Sequence, residues 1–331
     1  MIANMHSSTK VSIIIPVYNV GTLLSRCIEC CINQSFQNIE IVIVNDGSTD
    51  ESGNIIERYR QADPRIKHIK KQNEGLSFAR KTGLEHAVGE YIFHLDGDDI
   101  ITCNAIENLC KQALLHKADI VAGNVVIIKD NAVYPEKLYS NFGSGTGVEF
   151  LEFILINHLD YLWGKLIKRS IYEDHELEMV KEMKDVPAED QIQMFQLCMF
   201  VSKVTTIDTT VYEYRINSNS ITQKQTQDVE FTKRQEYFAS VLFKLLHKLP
   251  YNNLIRQQIN FRILLNLYLG LHRTGHYVVN KTQSVNIMRS TFVNAVFSPG
   301  SLLFKHPRLL ARCFVSLIYP KLAYKIRTFK K

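Results

Sequence analysis

The sequence predicts an α/β fold: a mostly parallel sheet with helices on both faces. Three observations carry this. Short, continuous apolar runs rich in β-branched residues recur through the first 125 residues, as strands buried on both faces do. Segments of helical spacing separate them. The strands run out into Asn, Asp, Gly and Ser, the residues that make turns.

The elements follow in order. Val11 to Pro16 predicts the first strand, and Gly21 to Gln34 a helix through Leu23, Leu24, Cys27, Ile28 and Cys31. Ile39 to Val44 predicts the second strand. Asp50 to Tyr59 predicts a helix with Ile55, Ile56 and Tyr59 on one face, capped by Asp50 or Ser48. Arg65 to Lys70 is a shorter strand, Leu76 to Val88 a helix and Tyr91 to Leu95 a strand. Ala105 to His116 is a helix, and Asp119 to Val126 returns as a strand. From Ile127 to Thr222 the pattern is mixed, with a loop marked by Gly143, Gly145 and Gly147. A helix is predicted at Asp190 to Phe200 and an extended segment at Thr209 to Tyr214. From Asp228 onward the pattern is helical, broken by Pro250, Pro299, Pro307 and Pro320. The expected division is 1–126, 127–224 and 225–331.

Composition narrows the class. With 46% hydrophobic and 22% charged residues, the chain reads as soluble and globular. Met1 to Lys10 hold no apolar run, so the expectation is no secretory signal and a reducing cytoplasm. Cys27, Cys30 and Cys31 lack a partner pair at zinc-finger spacing and read as free thiols on a helix. The net charge of +6 is unevenly spread: after Glu236 there are 15 Lys and Arg and no acid, leaving 24 basic against 33 acidic residues before it. Such asymmetry points to an anionic surface as partner.

The chemistry gathers at strand ends. Strand one ends Pro16-Val17-Tyr18-Asn19, strand two Asn45-Asp46-Gly47-Ser48, and strand four Asp96-Gly97-Asp98-Asp99. In a parallel sheet these lie on one edge, around the crevice where open α/β sheets place their ligand. Three carboxylates at one strand end call for a cation, and hard divalent ions take oxygen ligands. An aromatic ring, a hydrogen-bonding Asp and a metal-binding carboxylate together suit a nucleotide diphosphate. The same residues also suit plainer duties. Tyr18 would cap the core, Asp46 to Asp50 would form a turn, and Asp98 or Asp99 would cap the helix near Ala105. An EF-hand is excluded, because positions five and six counted from Asp96 are Ile100 and Ile101. No G-x-G-x-x-G follows a strand, and no P-loop motif occurs. A nucleotidyltransferase would want a glycine- and arginine-rich loop where Tyr18-Asn19-Val20-Gly21 stands.

These motifs together resemble the family 2 glycosyltransferases. The likeness rests on residues 11–19, on 41–52 (IVIVNDGSTDES), on 73–84 (NEGLSFARKTGL) and on 89–99 (GEYIFHLDGDD). It continues in Trp163 to Arg169 (WGKLIKR), Ala188-Glu189-Asp190, Tyr214-Arg215 and Asn219-Ser220-Ile221, and is nearest in style to bacterial enzymes of capsular or surface polysaccharide. The resemblance implies a GT-A type fold, a Rossmann-like nucleotide-binding half joined to an acceptor-binding half. It implies an inverting transferase moving a sugar from a nucleotide-sugar donor, a UDP-sugar foremost, to a saccharide or lipid-linked acceptor. The donor would meet Pro16, Tyr18, Asp46, Arg80 and Asp96. Asp98 would hold Mn²⁺ or Mg²⁺, and Asp190 would be the catalytic base. Asn45, Gly97, Lys81, Gly164 and Ala188 depart from the usual pattern without removing a needed carboxylate.

Glu189 and Asp190 would equally cap the helix that follows. The segment 301–331 mixes apolar residues with eight Lys and Arg. It fits an interfacial helix on anionic lipid, at the inner face of the plasma membrane, as well as a helical cap with solvated cations. Nucleic acid is not expected, since no recognition motif accompanies the charge. A non-catalytic scaffold of the same fold is the alternative to an enzyme.

Overall fold

The computed structural model describes residues 9–129, 132–136, 138–157, 159–175, 177, 189–216, 229–248, 251, 255–257, 259, 260 and 291. The chain divides into two compact units, residues 1–185 with 189–220, and residues 186–188 with 221–331.

The first unit is built on one sheet. Strands β1 (Val11–Val17), β2 (Ile39–Asp46), β3 (Ile66–Lys71) and β4 (Tyr91–His94) lie parallel in the order β3-β2-β1-β4. Next to β4 comes β9 (Lys165–Lys168), antiparallel both to β4 and to β6 (Ile120–Lys129). Beyond β6 lies β10 (Val204–Arg215), parallel to it. Thus β1, β2, β3, β4, β6 and β10 share one direction, and β9 runs against them. Three short strands complete the sheet: β5 (Ile100–Ile101) and β8 (Ser144–Gly145) on β10, and β7 (Ala132–Glu136) on β6.

Alternation along β1 divides the core. Val11, Ile13, Ile15 and Val17 point to one face. There they meet Leu24, Cys27, Ile28 and Cys31 of α1 (Leu23–Ile32), Ile55 and Ile56 of α2 (Ser52–Ala62), and Ile106 and Leu109 of α4 (Ala105–His116). Ile14 points the other way, with Val42, Val44 and Ile92, and meets Ala79 and Leu84 of α3 (Leu76–His86). Each fully buried Ile or Leu here contributes ~2 kcal/mol. The close seat of α3 depends on Gly83: a Cβ there would lie 2.3 Å from Ile14 Cγ2. This contact fixes the helix that carries Arg80.

Through residue 126 every predicted strand and helix is present, with ends shifted by a few residues. The helix predicted from Asp50 starts at Ser52, because the Asp50 carboxylate stays outside it and accepts from the Ser52 N–H at 3.0 Å. Ser48 does not cap it; its hydroxyl accepts from the Asn19 N–H at 3.1 Å.

The mixed region differs more. The predicted glycine loop contains β8 and the start of α5 (Gly147–Asn157). The extended segment predicted at 209–214 is the end of the longer β10. β9 and the short α6 (Ser170–Glu173) carry no strong signal of their own. The helix predicted from Asp190 is α7 (Glu189–Phe200), whose Ile192, Phe195 and Cys198 are buried.

In the second unit α8 (Val229–Lys248) buries Phe238, Ala239, Leu242 and Leu245. The basic segment 301–331 and the Asn219-Ser220-Ile221 stretch lie outside the described residues. Among the described residues, no helix is long and apolar enough to cross a membrane. Six cysteines among them are free.

Candidate active site at the carboxyl edge of the sheet

The loop after β4 is held from both sides. On the β10 side, the Tyr212 hydroxyl donates to Asp99 Oδ2 at 2.8 Å and accepts from the Asp96 N–H at 3.3 Å. The Arg215 N–H donates to Asp99 Oδ1 at 2.9 Å. On the α1 side, the Cys27 thiol donates to the Asp96 carbonyl at 3.5 Å, and the Ile101 N–H donates to Cys30 Sγ at 3.4 Å. Gly97 lets the loop close against β1, since a Cβ there would stand 3.3 Å from the Pro16 carbonyl. Asp99 is therefore an anchor between the loop and β10. Asn104 stands at the start of α4 without a side-chain bond to it, and the Ile106 N–H of its first turn donates to Gln34 Oε1 at 3.1 Å. The expectation that Asp99 caps α4 is corrected, because Tyr212 and Arg215 take both carboxylate oxygens.

One guanidinium joins two of the predicted site carboxylates. Arg80 Nη2 donates to Asp96 Oδ1 at 2.8 Å, and Arg80 Nη1 pairs with Asp190 Oδ1. The Leu162 N–H reaches Asp190 Oδ2 at 3.4 Å. Asp190 lies in the first turn of α7, where the helix dipole favours a negative charge. Chain segments 110 positions apart thus meet at one cation.

The loop's carboxyls are pushed toward the protonated form. Burial raises Asp96, against the pull of Arg80. Burial, followed by the charges of Asp96 and Asp98, drives Asp99 well up. Burial and the Asp96 charge bring Asp98 to about 6. No Lys, Arg or His pairs with Asp98 among the described residues. No cluster of three His, Cys, Asp or Glu there could enclose a metal by itself. A cation at Asp98 would therefore take most of its ligands from elsewhere.

The other strand ends sit beside this loop. Pro16 is buried in β1 with its carbonyl against Gly97, and Tyr18 is 51% exposed, so it does not cap the core. Asn19, at φ +52°, accepts through its side-chain oxygen from the Thr49 N–H at 2.8 Å, locking the β1 turn to the β2 turn. Asp46 is 3% exposed and accepts the N–H groups of Glu74 (3.1 Å) and Gly75 (2.8 Å) ahead of α3. Its carboxylate joins β2 to the segment that leads to Arg80.

Several neighbours escaped sequence reasoning. Trp163 stacks on Tyr161 at 3.6 Å, on Tyr212 at 4.7 Å and on Tyr214 at 5.6 Å between ring centroids. The fully buried Lys165 ends this stack: its Nζ lies 4.2 Å from the Tyr161 centroid and donates to the Tyr161 carbonyl at 2.6 Å. Burial lowers Lys165 to about 7. His94 Nε2 pairs with the Tyr172 hydroxyl at 3.1 Å, and burial followed by the Arg80 charge holds the ring neutral, down to about 3. The spacing W-x-K and the His before the acid loop were visible signals. Their partners, on distant segments, were not.

Comparison with known proteins agrees with this architecture. The model of "Glycosyl transferase family 2" matches residues 12–175. "Glycosyltransferase GlyA" of Streptococcus pneumoniae serotype 4 is 34% identical over 66% of this chain, which spans only 32% of that relative's length. "Uncharacterized glycosyltransferase EpsJ" of Bacillus subtilis is 35% identical over 70% of this chain and 69% of its own. The crystal structure of TarS 1-349 of S. aureus, in complex with UDP-GlcNAc, superposes with a TM-score of 0.66 at 18% identity, covering 88% of this chain and 82% of that one. The sheet order is thus that of the GT-A fold, and the chain belongs to the family 2 glycosyltransferases.

Proposed function

We propose that the chain is a metal-dependent inverting glycosyltransferase. It moves a hexosyl or N-acetylhexosaminyl group from a nucleoside-diphosphate sugar to a hydroxyl of a saccharide or lipid-linked saccharide, in building a surface polysaccharide such as a capsule. The observation that carries this reading is the meeting of Asp96 and Asp190 at Arg80, which brings the loop after β4 and the start of α7 to one site. A UDP-sugar is the first donor to test, as TarS, the structural neighbour, binds UDP-GlcNAc. Residues 1–126 take the donor and 127–224 the acceptor.

The residues present fit a divalent cation. Asp98 is a partly buried carboxyl whose charge no protein cation answers among the described residues. It would hold Mn²⁺ or Mg²⁺, with the diphosphate supplying further oxygens. When bound, the ion stabilises charge growing on the leaving diphosphate. Asp96 accepts from a ribose hydroxyl, Asp46 from the nucleobase, and the open face of Tyr18 and the Pro16 turn border the base. Asp190 accepts the proton of the acceptor hydroxyl as that oxygen attacks the anomeric carbon. A single base on the face opposite the leaving group gives one displacement, hence inversion.

The test is nucleotide release from a panel of nucleotide sugars with Mn²⁺, comparing wild type with Asp98→Ala and Asp190→Ala. Turnover by the wild type, lost in both variants, supports the reading. Activity unaffected by either change refutes the assignment, and a wild type that binds nucleotide without turnover returns the scaffold alternative. We further propose that residues 301–331 dock on anionic lipid at the inner membrane face, on their charge and apolar content. Flotation with phosphatidylglycerol liposomes, full-length against a chain ending at Gly300, decides this; equal lack of binding sinks it.

A further inference from the structure

We propose that Arg80 is a positioning residue that holds the donor-side carboxylate and the catalytic base as one unit, and that it does not itself touch the donor. The inference rests on the reading of Asp190 as base. It departs from the role that resemblance gives to Arg80, and exposure is the reason. The Arg80 side chain is 1% exposed, whereas Asp96 is 27% and Asp190 16% exposed. The guanidinium thus lies behind the two carboxylates it joins, and a diphosphate would reach them first.

The fold builds this placement deliberately. α3 is pressed onto β1 at Gly83, one turn from Arg80, so the side chain leaves from a fixed origin. Asp46 secures the start of the same helix through the Glu74 and Gly75 N–H groups. Buried His94 and Tyr172 lie close enough to feel the Arg80 charge, and neither contributes a second cation.

The chemistry needs such a part. Two carboxylates brought side by side repel each other, and one of them would take a proton or swing away. A planar guanidinium between them offsets that repulsion and fixes their separation. A base must be ionised and correctly placed to receive a proton, and a displacement of about 1 Å costs on the order of 100-fold in rate. Lysine offers a point charge in place of a fork and would hold one carboxylate well at most.

Double-mutant cycles test the proposal, because a residue acting through others gives non-additive losses. Nucleotide affinity is read by calorimetry with UDP and MnCl₂, and kcat by UDP release from the best donor. Arg80→Gln lowers kcat about 100-fold, and Arg80→Lys recovers part of that loss. Combined with Asp190→Asn, Arg80→Gln adds little to the loss in kcat. Combined with Asp96→Asn, it adds little to the loss in UDP affinity.

Additive weakening of UDP binding would overturn the proposal, since it would mark a direct donor contact. So would an Arg80→Lys enzyme with wild-type kcat. If Arg80→Gln alone fails to fold, Arg80→Gln with Asp190→Asn removes cation and anion together. With Asp96→Asn added as well, its UDP affinity should match that of the Asp96→Asn, Asp190→Asn pair, and a tenfold deficit counts against the inference. If the wild type neither binds UDP nor turns over, the glycosyltransferase reading fails separately. The bridge is then judged by urea unfolding of the Arg80→Gln and Asp190→Asn cycle, where additive losses refute it.

Discussion

The ends of β2 and β4 carry the same kind of residue on the same edge of the sheet, and they satisfy its charge in different ways. At the end of β2, Asp46 is answered by backbone N–H groups of Glu74 and Gly75 at 3.1 and 2.8 Å, with the Lys71 ammonium farther off at 3.9 Å. At the end of β4, Asp96 is answered by a guanidinium, Asp99 by a phenol and a backbone N–H, and Asp98 by no cation among the described residues. A carboxylate held by backbone is part of the fold's wiring. A partly buried carboxylate without an answering charge is held at a free-energy cost, and that cost points to a ligand. The buried cations repeat the contrast. Lys165 donates to a backbone carbonyl and faces an aromatic ring, whereas Arg80 is ion-paired.

The comparison is most sharply tested at Asp98. Asp98→Ala should lower transfer on the order of 1,000-fold while leaving the urea midpoint of the metal-free protein unchanged or higher. A large loss of stability would show that this carboxyl belongs to the wiring after all.

Lys165 provides the next test, through pH. Its folded-state value of about 7 lies below the ordinary 10.5, so the unfolded chain binds more protons between those values. Stability attributable to Lys165 therefore rises as pH climbs through that window, by at most about 5 kcal/mol in all, and is least below pH 7. Urea unfolding from pH 6 to 10 should show the rise in the wild type and lose it in Lys165→Met. Parallel curves for the two proteins would mean that the lysine is not held as described.

Asp46→Ala should then destabilise the fold by ~2 kcal/mol, since two backbone donors lose their acceptor. The same variant should weaken donor binding, and a loss of donor affinity with no change in stability would show that Asp46 serves the donor alone. Tyr212→Phe is expected to have the smallest effect, ~1 kcal/mol, with a modest fall in kcat as the acid loop loosens. An unchanged midpoint would leave Asp99 anchored by the Arg215 backbone alone.

How much of this was legible depended on the range of the interactions. β1 to β4 and their helices announce themselves by local apolar periodicity, and the three acidic or polar strand ends follow from it. β9 does not, because four residues, two apolar ones flanked by lysines, become a strand only through β4 and β6 on either side. The carboxylates at 96, 98 and 190 were readable as motifs. The partners that hold the acid loop and the base were not, since Asp99 is anchored by Tyr212, and Asp190 by Arg80, over more than a hundred intervening positions. Asp46 read equally as turn or ligand residue because both uses want the same side chain at the same place.

The reversed β9 also bears on how the molecule can be taken apart. Its Leu166 and Ile167 pair with Phe93 and Ile92 on one side and with Val121 and Ile120 on the other. A fragment ending at residue 126 would keep β4 and most of β6 but lose the strand between them, baring two apolar edges open to pairing with other chains. The donor half is therefore not a separable module. A chimera that exchanges acceptor specificity with a relative must carry the four residues of β9 together with the strands they join.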